Sequence, residues 1–209
     1  MSNRQTSKAT LQRRPLVKKI LEGADDNMLV IGGLGSSNWD ITAAGDRPLN
    51  MPLWGAMGAP VGMGLGLALA QPGKRVLVIT GDADLMMSLG SLATVATQQP
   101  DNLAIVVLDN EKFGETGNQA SHTSPRNNGP TESGAGADLA MIAQGCGIAD
   151  VGTIRESGEV AQLIKDARTK KGPVFRLVKV MVEKLDFVMP PQDGAHLKDR
   201  FRQALLGHS

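Results

Sequence analysis

The chain has 209 residues, 41% of them hydrophobic, 21% charged and 3% aromatic, with a formal net charge of +1. That content suits one sizeable globular domain, and the near-neutral balance excludes a global field that would recruit nucleic acid or an anionic membrane. A single cysteine, Cys146, excludes an internal disulfide and a cysteine-only cluster site; set between Gly145 and Gly147, it reads as packing rather than as a nucleophile.

In chain order, the first basic residues, Arg4, Lys8, Arg13, Arg14, Lys18 and Lys19, precede a single acid, Glu22. No aromatic residue is interleaved for base stacking, so they read as the solvated side of a first helix rather than as a nucleic-acid patch. Leu11, Leu16, Val17, Ile20 and Leu21 recur at roughly helical spacing, and Gly23 is placed to end that helix. The opening MSNRQTSKATLQRRP has no apolar core of the secretory kind. The most apolar glycine-containing run, Val61 to Ala70, is too short to span a bilayer, and the expectation is a cytoplasmic protein. MLVIGG reads as a strand entering a long loop, GLGSSNWDITAAGDRPLNMPLWGAMG, and long ordered loops are often functional. Beyond it Gly58, Gly62 and Gly66 fall at every fourth position and make one smooth helix face for close approach.

KRVLVIT and LAIVVLD are continuous apolar runs bounded by turn residues, the pattern of parallel strands buried on both faces. Between them Leu85 to Gln98 has helical spacing and is stopped by Pro100, which makes a β-α-β unit. Asp138 to Gln144, capped by Gly145, and Ser157 to Lys171 read as helices, and GPVFRLVKV as a further strand. This alternation predicts an α/β fold, a mainly parallel sheet flanked by helices. Residues 1–182 form its body. Residues 183–209 hold a Pro-Pro break and a short amphipathic helix, either an arm on a partner or a helix closing the sheet edge.

Ligands of open α/β sheets sit beyond the carboxyl ends of the strands. Asp82 follows one predicted strand and Asn110 the next, so on neighbouring strands they converge. A carboxylate, an amide oxygen and a loop carbonyl form a hard oxygen set, suited to Mg²⁺ or Ca²⁺ rather than zinc. A helix opening near Asp84 offers free N–H groups to phosphates. Taken singly, Asp82 is equally an N-cap and Asn110 a turn former. Together, with Gly81 allowing close approach, they point to a metal-bridged diphosphate.

With these residues in view, the chain resembles the diphosphate-binding domain of thiamine diphosphate enzymes. Their Gly-Asp-Gly triplet followed by Asn-Asn stands here as Gly81-Asp82-Ala83 and Asp109-Asn110. Ala83 and Asp109 depart from that pattern, and Ala83 requires a backbone that glycine alone does not monopolise. The resemblance implies a thiamine diphosphate cofactor with Mg²⁺ held by Asp82, Asn110 and the carbonyl of Lys112. Gly81, Ala83 and Asp84 would lie against the diphosphate. LWGAMG looks like the family segment that supports the bent cofactor, with Met57 as the wedge between its rings and the Gly55 carbonyl facing the aminopyrimidine. Within the family, GDRPLN, LDN, GETGNQ with SHT, and KDRFRQAL look most like the decarboxylases of sulfopyruvate and phosphonopyruvate.

The resemblance implies decarboxylation of a small anionic 2-oxo acid to an aldehyde. It also implies a partner, because the glutamate that activates the cofactor sits on a separate pyrimidine-binding domain that this chain does not hold. An alpha-type subunit would supply it in a hetero-oligomer. Gly114 to Asn128 would then be the loop over the substrate, with Glu115, Thr116, Asn118, Gln119 and Thr123 as its polar contacts. His122 is either a proton relay there or a solvent-exposed loop residue. Arg47 and Arg126 are candidates to meet an anion, although surface placement is the commoner fate. His196 and His208 carry no expected role. Four other readings stand beside this one: a carboligase, the beta subunit of a ferredoxin-linked 2-oxo acid oxidoreductase, a non-catalytic binding subunit, and a Rossmann dinucleotide-binding protein suggested by VIGGLGSSN. The last lacks the third glycine, since Asn38 stands there.

Overall fold

The computed structural model describes residues 9–125 and 136–207. Arg4, Lys8, Arg126, Asn128 and His208 lie outside the described residues. The chain runs α1 (Arg13–Leu21), β1 (Met28–Gly32), α2 (Ser36–Ala44), β2 (Asn50–Pro52), α3 (Ala59–Ala70), β3 (Arg75–Gly81), α4 (Asp82–Met86) and α5 (Gly90–Gln98). It continues through β4 (Leu103–Asp109), β5 (Lys112–Phe113), β6 (Gln119–Ala120), α6 (Leu139–Gly145), β7 (Asp150–Ile154), α7 (Val160–Thr169), β8 (Val174–Lys179) and α8 (Gly194–Leu206). Six strands form one sheet in the order β2-β1-β3-β4-β8-β7, every pairing parallel. The short β5–β6 hairpin is antiparallel and stands apart from it.

Helices cover both faces, which is why β1 and β4 are buried along their whole length and carry unbroken apolar runs rather than alternation. Leu29, Ile31, Val76, Val78, Ile105 and Phe175 point to one side, against Val61 and Leu65 of α3, Leu92 and Val95 of α5, and Leu139 of α6. Val30, Leu77, Ile79, Val106 and Val178 point to the other, against Val17 and Ile20 of α1, Ile41 of α2 and Leu163 of α7. Truncating any of these leucines to alanine costs about 2–5 kcal/mol, because the close-packed neighbours collapse only partly into the hole.

Several expectations change. The stretch read as one long loop holds α2 and β2. Three of the four residues that α2 buries are Ser37, Asn38 and Asp40, so no apolar period announces it. Arg13 and Arg14 are not wholly on a solvated face: both guanidinium groups pair with Asp40, at 2.5 and 2.8 Å. Burial pushes the Asp40 carboxyl upward against the pull of these two cations. Lys18 and Lys19 do face solvent. The helix expected from Leu85 to Gln98 is two, α4 and α5, separated by Met87–Leu89. Along α3, Gly62 and Gly66 are exposed, and it is Gly64 that meets the sheet: a Cβ there would lie 2.3 Å from Val78 Cγ2.

At the other end, α8 folds back on the body. Leu197 and Phe201 are buried, Phe201 joins the core, and Arg200 pairs with Asp46 at 2.6 Å beside the edge strand β2. The segment leading to it crosses the chain's own surface. Glu183 Oε2 accepts from the Arg13 N–H, Phe187 packs on Trp39 with ring centroids 4.2 Å apart, and the Pro191 carbonyl accepts from Trp54 Nε1. Among the described residues no helix is long and apolar enough to cross a membrane.

Candidate active site

A crevice opens where the order of the strands reverses. β2 lies on one side of β1 and β3 on the other, so the loops leaving β1 and β3 part at the carboxyl ends of the strands and leave room for a ligand. One pocket lies there. It is lined by Leu34 and Ser36 after β1, Gly81 to Asp84 after β3, Leu108 and Asn110 at the end of β4, and Lys112 to Thr116 of the hairpin, with Met57 beside them.

Gly81 pairs with Leu108 across β3 and β4, which makes the next residues, Asp82 and Asp109, neighbours. Asp82 is only 2% exposed. Its Oδ2 accepts from Ser121 Oγ at 2.6 Å and from Thr123 Oγ1 at 2.9 Å, so Oδ1 is the oxygen left to a cation. Thr123 Oγ1 also stands 2.8 Å from Asp109 Oδ1, and Lys179 Nζ donates to Asp109 Oδ2 at 2.6 Å and to Glu111 Oε1 at 2.8 Å. Burial, and then the adjacent Asp109, push the Asp82 carboxyl up to about 6 against the two hydroxyl donors. Burial opposes the charge of Lys179, but Asp109 and Glu111 outweigh it and raise its affinity for the proton.

Asp84 lines the same pocket with both oxygens already engaged. Oδ1 accepts from the Gly58 N–H at 2.6 Å; Oδ2 accepts from Thr80 Oγ1 at 2.6 Å and from the Leu34 N–H at 3.2 Å. One carboxylate therefore ties together the loop after β1, the carboxyl end of β3 and the start of α3. Gly33 makes room for it, since a Cβ there would lie 2.2 Å from Asp84 Oδ2. Asn110 Oδ1 accepts from the Lys112 N–H at 2.9 Å and closes the turn after β4, leaving the amide oxygen a second lone pair. Glu111 in that turn has φ +61, a region that non-glycine residues rarely adopt outside functional turns. Ala83 lies within α4 and is not among the positive-φ residues, so the departure from glycine there fits the backbone.

The structure gathers Met57, Gly81, Asp82, Ala83, Asp84, Asn110, Lys112, Glu115 and Thr116 into this pocket. Met57 is 42% exposed and so is not a core residue. Glu115 reaches across to Gly35, where a Cβ would meet its Oε1 at 2.5 Å; burial raises its carboxyl while Arg13 pulls it down. Gly55, at φ +65, sits in the exposed turn ahead of α3 and does not line the pocket. Asn118 and Gln119 are exposed in the hairpin, where Gln119 Nε2 donates to the Thr116 carbonyl at 2.8 Å. His122 is exposed and stands edge-on to Phe113 with centroids 5.8 Å apart. Thr123, read from sequence as a loop contact for the substrate, is buried beneath Asp82. Arg47 donates to the carbonyls of Asp25 and Met28 beside the start of β1, away from the pocket.

Sequence reasoning missed Ser36 and Lys179, met Asp109 only as a departure from the motif, and read Ser121 as a polar residue of the substrate loop rather than as a partner of Asp82. Ser36 lay in a stretch read as loop, and the other three act through contacts between strand ends that only folding brings together. Among the described residues no group of three or more His, Cys, Asp or Glu side chains converges for a metal. At the strand ends the pocket offers one free carboxylate oxygen, of Asp82, one amide oxygen, of Asn110, and main-chain carbonyls. That hard, incomplete set suits a Mg²⁺ ion whose remaining positions are filled by water and phosphate oxygens, so the donors fit a metal-diphosphate.

Comparisons with known proteins agree with this geometry. The family profile described as "Thiamine pyrophosphate enzyme, C-terminal TPP binding domain" matches residues 34–178. The chain is 35% identical over 142 residues to the sulfopyruvate decarboxylase subunit beta of Methanocaldococcus jannaschii, covering 68% of this chain and 70% of that one. It is 29% identical over 197 residues to the phosphonopyruvate decarboxylase of Streptomyces viridochromogenes, covering 94% of this chain but 47% of that longer protein. The fold superposes with TM-score 0.66 and 19% identity on a 2-oxoglutarate:ferredoxin oxidoreductase from Magnetococcus marinus, over 94% of this chain and 78% of that chain.

Proposed function

The chain belongs to the thiamine pyrophosphate (thiamine diphosphate) enzyme family through its cofactor-binding domain, and from that premise we propose that it is the diphosphate-binding subunit of a two-subunit decarboxylase. Its substrate is a small anionic 2-oxo acid of the sulfopyruvate or phosphonopyruvate kind, converted to an aldehyde and CO₂. The observation that carries this reading is the pairing of Asp82 and Asn110 at the ends of adjacent parallel strands, facing one pocket at the reversal of strand order. The likeness to a subunit named beta, and to about half of a longer decarboxylase, supports a division of labour between two chains.

In this reading Asp82 Oδ1, the Asn110 amide oxygen and the Lys112 carbonyl hold Mg²⁺. Main-chain groups of Gly81, Ala83 and Asp84 face the diphosphate. Met57, in the pocket lining, would support the cofactor, and Gly55, in the turn beside it, would offer its carbonyl to the aminopyrimidine. Thiamine diphosphate, when bound, supplies the sink for the electron pair left behind as CO₂ departs. Glu115 and Thr116 lie nearest the substrate, and a pyrimidine-binding alpha-type partner supplies the activating glutamate. Residues 1–182 are the cofactor-binding body in this scheme and residues 183–209 its C-terminal arm, in a cytoplasmic complex.

The test is to purify the chain with its native partner and measure CO₂ and aldehyde release from sulfopyruvate, phosphonopyruvate and pyruvate, with thiamine diphosphate and Mg²⁺. Release from an anionic substrate that disappears without the cofactor is the expected result. No CO₂ from any of them, with the cofactor bound, would overturn the reading.

A further inference from the structure

Asp82 is held from below by two hydroxyls that come from the same short segment, and that segment is the far end of the hairpin that walls the pocket. Ser121 and Thr123 immediately follow β6, while β5 carries Lys112 into the pocket lining and Glu115 and Thr116 lie at the turn between. The Ser121 N–H donates to the Glu111 carbonyl at 3.0 Å, which seats the segment beside the turn after β4. Both side chains are buried, at 6% and 3% exposure, and both reach Asp82 Oδ2.

Thr123 also reaches Asp109 Oδ1, which accepts from the Glu111 N–H at 3.1 Å, while Lys179 holds Oδ2 at 2.6 Å. The single Thr123 proton can go to either carboxylate, at the ends of β3 and β4, and Lys179 extends the link to β8. A carboxylate free to rotate presents either oxygen to a cation. One whose Oδ2 accepts from Ser121 and shares the Thr123 proton with Asp109 presents Oδ1 in one orientation, and loss of such an outer partner typically costs about 10–100-fold in metal affinity.

We propose that Ser121 and Thr123 are positioning residues that orient Asp82 for its divalent cation and, by the same bonds, tie the placement of the β5–β6 hairpin to occupancy of the cation site. The inference rests on the cation reading given under Proposed function. It goes beyond it in predicting that the hairpin wall, with Glu115 and Thr116, tightens when the cation binds.

The experiment uses the purified full chain, with its co-purified partner, and Mn²⁺ as the probe in saturating thiamine diphosphate. Bound Mn²⁺ is read by electron paramagnetic resonance, and backbone hydrogen exchange is followed over 112–121. Thr123→Val is expected to weaken Mn²⁺ about 10-fold or more and Ser121→Ala by several-fold, while Thr123→Ser, which restores the hydroxyl, stays within about 3-fold of the wild type. Mn²⁺ is expected to slow exchange in 112–121 in the wild type and in Thr123→Ser, but not in Thr123→Val. Far-UV circular dichroism identifies a variant that fails to fold, in which case Ser121→Ala and Thr123→Ser decide the matter. Wild-type Mn²⁺ affinity in folded Thr123→Val and Ser121→Ala, with Asp82→Asn abolishing binding, overturns the positioning role and leaves the cation site standing. No Mn²⁺ binding by the wild type, or equal binding by Asp82→Asn, overturns both.

Discussion

Asp84 Oδ1 accepts a 2.6 Å hydrogen bond from the Gly58 N–H, and through it α4, which follows β3 directly, fixes the segment that carries Met57. The same carboxylate holds Leu34 and Thr80. Three donors converge on one buried anion, so replacing it leaves main-chain N–H groups without partners, each a loss of about 1–3 kcal/mol. Asp84→Ala should lower the unfolding free energy by at least about 2 kcal/mol, measured by urea titration. A loss under about 0.5 kcal/mol would contradict the clamp.

Gly33→Ala attacks the same clamp from the other side, because the new methyl would lie 2.2 Å from Asp84 Oδ2 and 2.9 Å from Thr80 Cβ. Overpacking of this kind costs about 1–3 kcal/mol. The double variant Gly33→Ala/Asp84→Ala should be less destabilised than the sum of the two singles, since the alanine at 84 removes the nearest clash and leaves that with Thr80, whose Oγ1 lies 2.4 Å from the new methyl. Strict additivity in a double-mutant cycle would argue against the contact.

The Asp82 carboxyl ionises near 6 in the folded chain, against an ordinary value of 3.8. The folded state therefore holds this proton over a window in which the unfolded state has lost it. The contribution is fully present below about 3.8, falls as pH rises through the window, and is gone above about 6, a change of ~3 kcal/mol. Without metal, Asp82→Asn should be more stable than the wild type at pH 7.5, and that advantage should shrink by pH 4.5. Urea melts of both proteins at the two pH values check this; an advantage independent of pH would contradict it.

Lys179 neutralises Asp109, which is 1% exposed. Lys179→Met strands that charge and should cost about 3 kcal/mol, whereas Lys179→Met/Asp109→Asn should recover most of the loss. Thermal unfolding of the four proteins gives the cycle, and a double variant no better than Lys179→Met alone would rule out the charge as the cause.

Much of the fold was legible because its strongest signals are local. The apolar runs of β3 and β4 announce strands buried on both faces, and Gly23 and Pro100 mark where helices end, whereas α6 runs through the Gly145 expected to cap it and takes Asp138 as its N-cap. Of the site, Asp82, Asn110 and Met57 were legible through a motif, and the pocket gathers them. The roles of Thr123, Arg13 and Arg47 were not. Each depends on a partner far along the chain: Asp82 for Thr123, Asp40 for Arg13, and the carbonyls of Asp25 and Met28 for Arg47.

The sequence by itself determined which segments must be buried and which oxygen-bearing residues end up at strand termini, since both follow from side-chain type and spacing along the chain. Tertiary structure alone decided the strand order that opens the crevice between β1 and β3, and which polar groups stand beneath the site rather than within it. Hydrogen bonds such as Thr123 to Asp82 and Lys179 to Asp109 leave no period in the sequence. They arise only when parallel pairing brings the ends of β3, β4 and β8 side by side, where burial makes each unpaired polar atom too costly to leave alone.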